Sequence, residues 1–276
     1  MEQRLPISIR SSNMPRNRVN SITSARGDKK NRKKGDKVTI AILSAKPGYR
    51  MKSYGPPSLL SVGSHCLLDI QIEAIRAVHK DYEIIVCCGF EADRVSRHIK
   101  TKYKNQNIRI VENQLFDETN CCETLRLCLN NVSSDSLLVC NGELVLYPEL
   151  VKIHEEVPYI LSHKRGKKKS TLEIGSVCDE NGLVTNMSYG LTDLWSEIFY
   201  LHSRETIESL RRIVSTEAFK NKLIFEALNE FNKTKYNLHQ VMTKDRAVKI
   251  DNIKTYHRVK DRYENIGTQL FVRNFN

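Results

Sequence analysis

Two carboxylates, Glu143 and Asp251, stand where chemistry is most readily imagined in this 276-residue chain. Each follows a short apolar run, SLLVCNG (136–142) and RAVKI (246–250), that reads as a buried strand. Ligands of α/β folds bind beyond the carboxyl ends of such strands, so both side chains are expected at the sheet edge. Paired carboxylates there suit Mg²⁺, which keeps several waters and takes one or two protein carboxylates plus phosphate oxygens. The segment AKPGYRMKSYGPP (45–57) leaves the end of the first strand-like run. In it Gly48 permits close backbone approach, and Lys46, Arg50 and Lys52 supply positive charge for phosphates. Each group also has a plain structural use: Arg50 as a surface cation, Glu143 as a turn or helix cap, Asp251 as the N-cap of a closing helix, a position Asp favours. The histidines show no ligand spacing, and no serine or cysteine nucleophile has an arguable partner. Most of the eight cysteines lie in apolar runs such as IIVCCG, without a CxxC pair, and read as buried, reduced thiols.

The elements that must hold these residues alternate. VTIAILS (38–44), EIIVCCG (83–89), IRIVE (108–112) and SLLVCNG are short and β-branched, the pattern of strands buried on both faces. Between them lie helical segments at 66–79, Asp93–Tyr103 and Asn120–Leu129, the first with Leu68, Ile72, Ile75 and Val78 at helical spacing. The alternation predicts a parallel sheet with right-handed crossovers. Beyond residue 150 it gives way to PYILSH (158–163), TLEIGSVC (171–178), LVTNMS and SEIFYLH (196–202), with an Asn181-Gly182 hairpin turn. Helices are expected at about 203–214 and 217–231, then the strand RAVKI and a closing helix from about Ile253. The expectation is an α/β fold, Rossmann-like, with a mixed, mainly parallel sheet flanked by helices and an antiparallel section at about 157–202.

Charge marks a boundary. The net charge is +12, and residues 1–37 hold eleven Lys or Arg against Glu2, Asp28 and Asp36. That stretch has no hydrophobic period and reads as a flexible basic arm, residues 1–37, preceding an α/β domain, residues 38–276. It serves either as a contact for nucleic acid or another polyanion or as a solvated leader. A second basic cluster, His163 to Lys169, is expected as an exposed hairpin loop. No apolar run reaches the roughly 18 residues of a membrane span, and the first residues lack the apolar stretch of a signal peptide. A cytoplasmic protein, or one inside a nucleoprotein particle, is expected rather than a secreted one.

Taken in order, these segments resemble the nucleotidyltransferase family, in its sugar-phosphate nucleotidyltransferase and phosphocholine cytidylyltransferase branch. AILSAKPGYRM looks like the family's LAAGxGxRM, with Gly48, Arg50 and Met51 in place. PPSLLSVGSHCLLDIQIEAI is similar to its PKxLLxVxGxPLLExQIexL segment, and Gly89-Phe90 to the Gly-Tyr after the second strand. VENQLFDETNCCETLRL (111–127) resembles the N-x-x-[YF]-x-x-T-N-N-x-x-S-L stretch, Gly142-Glu143 the Gly-Asp, and Ile250-Asp251 the I-D of the second metal ligand.

The resemblance implies attack by an acceptor phosphate oxygen on the α-phosphorus of an NTP, with release of pyrophosphate. Ala45, Gly48 and neighbouring backbone would cradle the triphosphate, with Lys46 and Arg50 neutralising it. Asn113, Thr119 and Asn120 would line the base or substrate pocket, and Glu143 and Asp251 would hold Mg²⁺. The partners implied are an NTP and a small phosphorylated acceptor, a sugar phosphate or phosphocholine. Trp195 and Tyr189 fall where the family places its acceptor, and either pack in the core or cage a quaternary ammonium. The chain departs from the pattern at Lys46, Pro47 and Glu143, and Pro57 takes the place of the phosphate-binding lysine. A lost charged hydrogen bond costs roughly 1.5–3 kcal/mol. Two readings follow: a nucleotidyltransferase, weakened or compensated by Lys46 or Lys52, or an inactive protein of that shape with a structural or assembly role through its arm.

Overall fold

The computed structural model describes residues 37–165, 172–244 and 247–266, the last four of these by backbone alone. The basic stretch lies outside the described residues except for Lys37, as do residues 166–171, which include the rest of the second basic cluster.

The first half is the expected alternation. Strand β1 (Val38–Ser44) leads through 3₁₀ turns at Lys52–Tyr54 and Pro57–Leu59 and the short pair β2 (Ser61–Val62) and β3 (His65–Cys66) into helix α1 (Leu67–Val78). Then come β4 (Tyr82–Cys88), α2 (Ala92–Lys102), β5 (Ile108–Glu112), α3 (Cys121–Leu129), β6 (Ser136–Asn141), β7 (Leu144–Val145) and α4 (Pro148–Val151). The second half holds β8 (Tyr159–Lys164), β9 (Ile174–Cys178), β10 (Val184–Tyr189), β11 (Asp193–Leu201), α5 (Arg204–Val214), α6 (Ile224–Phe231), β12 (His239–Met242), β13 (Val248–Lys249) and α7 (Ile253–Ile266). The main sheet runs β10-β9-β11-β6-β1-β4-β5, with β8 and β12 attached through β11. β6, β1, β4 and β5 are parallel, whereas β11 is antiparallel to β6, β8 and β9.

Both faces of this sheet are covered, which is why its strands read as unbroken apolar runs. Ala41, Leu43, Ile85 and Cys87 face α3, α5 and α6 through Leu125, Leu210 and Leu228. Ile40, Ile42, Ile84 and Val86 face α1, α2 and α4 through Ile72, Ile99 and Leu150. A third cluster gathers Met51, Leu60, Val62, Ile70, Val145, Ile250, Tyr256 and Val259. It ties the loop after β1 to β7, β13 and α7.

Four expectations are corrected. The helix placed at 217–231 begins only at Ile224: a 3₁₀ turn spans Glu217–Phe219, and the Glu226 carboxylate accepts from the Leu223 N–H at 2.8 Å to open α6. Among the described residues the strand drawn at 246–250 is the two-residue β13, and it pairs with β7 instead of the main sheet. His163 lies buried in β8, its Nδ1 3.0 Å from Ser196 Oγ, instead of in an exposed loop. Strand β12 was not anticipated; three of its residues are half-buried, Met242 is exposed, and they carry no alternation. The hairpin is as expected, with Gly182 at φ +78° between β9 and β10.

Candidate active site

The carboxyl ends of β1, β4, β5 and β6 meet so closely that two positions accept only glycine. A Cβ on Gly142 would stand 2.4 Å from Ser44 Cβ, and one on Gly89 2.7 Å from Phe116 Cβ and 2.8 Å from the Ala45 carbonyl. Phe90 donates its N–H to Ala45 O at 2.8 Å, and Gly142 donates to Leu43 O at 2.8 Å. From this ridge the loop 45–57 departs. Gly48 is buried and accepts from the Met51 N–H at 3.0 Å, closing a turn. Buried Met51 anchors that turn beside Ile250. Arg50 is held at φ +56°, exposed, its guanidinium 5.0 Å from the Tyr49 ring centroid. Such backbone strain in a non-glycine residue persists where surrounding structure imposes it. Lys46 is exposed, and Pro57 is buried at the head of its 3₁₀ turn.

Glu143 and Asp251 are neighbours. The β7–β13 ladder sets Lys249 against Leu144, and the Ile250 N–H donates to Glu143 O at 2.8 Å. The N-cap of α7 is Asn252, whose Oδ1 accepts from the Thr255 N–H at 2.9 Å, so Asp251 is not consumed in capping. Its carboxylate accepts from Asn252 Nδ2 at 2.5 Å and borders the cavity described below. Glu143 is not a cap by its side chain either: its N–H donates to Asn141 Oδ1 at 2.8 Å, and its carboxylate lies 3.7 Å from Lys249 Nζ.

A third carboxylate completes the group. Glu197 sits at φ +58° where the β11–β8 register slips between Trp195 and Phe199. It accepts from Asn141 Nδ2 and, at 2.7 Å, from Lys249 Nζ. Burial, reinforced by Glu197 and Asp251 and opposed by Lys249, pushes the Glu143 carboxyl up to about 7. Burial disfavours the charged form of Lys249, but Glu197 and Glu143 outweigh it and hold the ammonium above its ordinary value. The signal for Glu197 in the sequence was an acidic residue amid the apolar run SEIFYLH; nothing there indicated that a bulge would turn it toward Asn141.

Except for Glu143, these groups line a cavity of about 840 Å³, within the range of small-ligand sites. Asn141, Glu197, Lys249 and Asp251 supply polar wall, and Tyr189, Trp195 and Phe225 supply aromatic wall. Trp195 is core-packed, its Nε1 donating to Ile198 O at 3.0 Å, while Tyr189 is 48% exposed and meets Phe225 edge-on at 5.5 Å. Cys121 also borders the cavity. Its thiol is raised, chiefly by burial.

Asn113, Thr119 and Asn120 are engaged otherwise. Asn113 Nδ2 donates to Thr119 Oγ1 at 3.2 Å and Thr124 Oγ1 at 3.0 Å, while its Oδ1 accepts from the Leu115 N–H at 3.1 Å. Asn120 caps α3, accepting from the Cys121 N–H at 2.9 Å. Their side chains build the turn after β5, which packs Phe116 against Phe90 at 6.1 Å.

No protein-family model and no curated protein sequence matches this chain. Solved structures do. The CTP:phosphocholine cytidylyltransferase of Streptococcus pneumoniae is similar over 82% of this chain and 98% of its own, with a TM-score of 0.67 at 17% identity. The inositol-1-phosphate CTP transferase of T. maritima covers 82% of this chain and 96% of its own, at TM-score 0.63 and 14% identity. A nucleoside-diphosphate-sugar pyrophosphorylase of Vibrio cholerae covers 81% and 99%, at 0.62 and 13%. The protein therefore has the fold of the nucleotidyltransferases, a mixed and mostly parallel sheet between helices.

Proposed function

We propose that the protein transfers a nucleotidyl group from an NTP to a small phosphorylated acceptor, a sugar phosphate or phosphocholine. The observation that carries the reading is the meeting of Glu143 and Asp251 across the β7–β13 ladder, beside the cavity and the anchored β1 loop. Glu143 and Glu197 share the Lys249 ammonium and Asp251 is exposed beside them, and an all-oxygen donor set of this kind suits a hard divalent cation. Glu143 and Asp251 would hold Mg²⁺, which when bound neutralises phosphate charge and the leaving pyrophosphate. The chain's own groups position and neutralise. Ala45 and Gly48 offer backbone to the triphosphate, Arg50 and Lys46 face its charge, and Lys46 stands in for the lysine that Pro57 lacks. The turn built by Asn113, Thr119 and Asn120 shapes the base pocket. An acceptor phosphate oxygen forms the new bond to the α-phosphorus as the bond to the bridging oxygen breaks, and pyrophosphate carries the electron pair away.

Purified protein given each NTP in turn, Mg²⁺ and candidate acceptors should release pyrophosphate. Asp251→Ala should lower that rate at least about 100-fold, the loss typical of removing one group that stabilises developing charge. Absence of both NTP binding and turnover would remove this reading.

A second reading rests on the charge distribution: a folded scaffold whose residues 1–37, with eleven basic side chains, contact nucleic acid or another polyanion in an assembly such as a nucleoprotein particle. The two are separated by whether NTP binds the domain.

A further inference from the structure

Outside the cavity, three side chains of different chemistry converge where α1 meets α2. Cys66 ends β3 and precedes α1, Asp69 lies in the first turn of α1, and His98 projects from α2. One ligand atom from each, thiol, carboxylate and imidazole, lies within 4.8 Å of the other two. Cys66 Sγ is 3.5 Å from His98 Nε2, and His98 Nε2 is 2.8 Å from Asp69 Oδ1.

We propose that Cys66, Asp69 and His98 form a second metal site, for Zn²⁺ or a similar borderline-soft divalent ion, with its fourth position open to solvent. The donor set is the mixture of sulfur, nitrogen and oxygen that Zn²⁺ takes and Mg²⁺ does not. With Zn–S near 2.3 Å and Zn–N near 2.0–2.1 Å, the sulfur–nitrogen edge of a tetrahedral site is about 3.6 Å, against 3.5 Å observed. The nitrogen–oxygen edge needs about 3.4 Å by the same geometry, so the 2.8 Å His98–Asp69 hydrogen bond opens by roughly half an ångström as the ion enters. The His98 side chain is 26% exposed, which leaves a way in from solvent.

The surroundings already orient the ligands. Asp69 Oδ2 accepts from Lys102 Nζ at 2.8 Å and from the Cys66 N–H at 3.0 Å, and Oδ1 accepts from Tyr103 Oη at 2.7 Å. Such outer hydrogen bonds fix a ligating carboxylate and are worth about 10–100-fold in metal affinity. On binding, the Cys66 thiol forms a sulfur–metal bond and loses its proton to solvent, and His98 offers the Nε2 lone pair with its proton on Nδ1. Lys102 stays on Oδ2, which leaves Oδ1 for the metal.

The test uses the full chain, stripped with a chelator and kept reduced, titrated with CoCl₂. A sulfur-to-cobalt charge-transfer band should grow to one equivalent, with the visible bands of tetrahedral cobalt, and be displaced by ZnCl₂. Cys66→Ser and His98→Gln should each weaken binding at least about 100-fold, more than loss of an outer partner, while Cys121→Ser and Asp251→Ala leave it unchanged. Alkylation followed by peptide mass mapping needs no variant: one equivalent of ZnCl₂ should protect Cys66 but not Cys121 or Cys178. Absence of the band in folded wild-type protein, its persistence in folded Cys66→Ser, or unprotected Cys66 would each overturn the proposal.

Discussion

Lys249 donates to Glu197 at 2.7 Å and stands 3.7 Å from Glu143, so one ammonium serves both carboxylates. Removing one partner of a buried charge pair costs about 3–5 kcal/mol because the other charge is left uncompensated. Lys249 is 35% exposed, so solvent screening lowers the expectation for Lys249→Met to about 1–3 kcal/mol, read as a lower melting temperature. Millimolar Mg²⁺ should then raise the melting temperature of the variant more than that of the wild type, since a divalent ion replaces the lost charge. Equal shifts in both proteins would show that the carboxylates do not bind the ion together. Asp251 and Glu143 were readable as site candidates because each closes an apolar run. Glu197 was not, because its position depends on a bulge.

At the scale of elements, the ridge of strand ends sets how near the loop after β1 comes to β6. Gly142→Ala would drive a Cβ to within 2.4 Å of Ser44 Cβ and 2.9 Å of Leu43 O. Neither neighbour is a flexible side-chain tip, so a loss of about 1–3 kcal/mol is expected, measured as a lower urea midpoint at unchanged slope. The junction of β11 and α5 predicts a pH effect. Burial lowers His202 below its ordinary 6.5, against Glu205 and Glu156, and its Nδ1 is buried without a hydrogen-bond partner. The folded state thus binds fewer protons there than the unfolded chain. Its contribution is complete above about pH 6.5 and falls as pH drops through the folded value. Denaturant titrations from pH 7.5 down to 5 should show that decline, and His202→Gln should flatten it; an unchanged slope would assign the effect elsewhere.

For the whole molecule, charge is divided between the basic stretch at residues 1–37 and a domain close to electrical balance. Binding of a polyanion such as heparin or single-stranded nucleic acid should therefore weaken steeply between low and physiological salt. Deleting residues 1–36 should abolish it without moving the melting temperature of the domain, whose described core begins at Val38. An unchanged isotherm after the deletion would place the contact on the domain. No helix among the described residues is long and apolar enough to cross a membrane.

Local pattern was sufficient for the parallel half of the sheet and for its helices, because burial on both faces leaves unbroken β-branched runs and helical spacing. It sufficed too for the Asn181-Gly182 hairpin, where turn chemistry is confined to neighbouring residues. Partners distant along the chain decided the rest. Two residues of β13 choose β7 over the main sheet, a bulge in β11 turns Glu197 to Asn141 and Lys249, and α1 meets α2 so that Cys66, Asp69 and His98 converge. Short elements carry too little period to declare their pairing, and a strained φ or the convergence of a strand end with two helices has no signature in linear spacing. Those features arise only when the packed core fixes which backbone lies beside which.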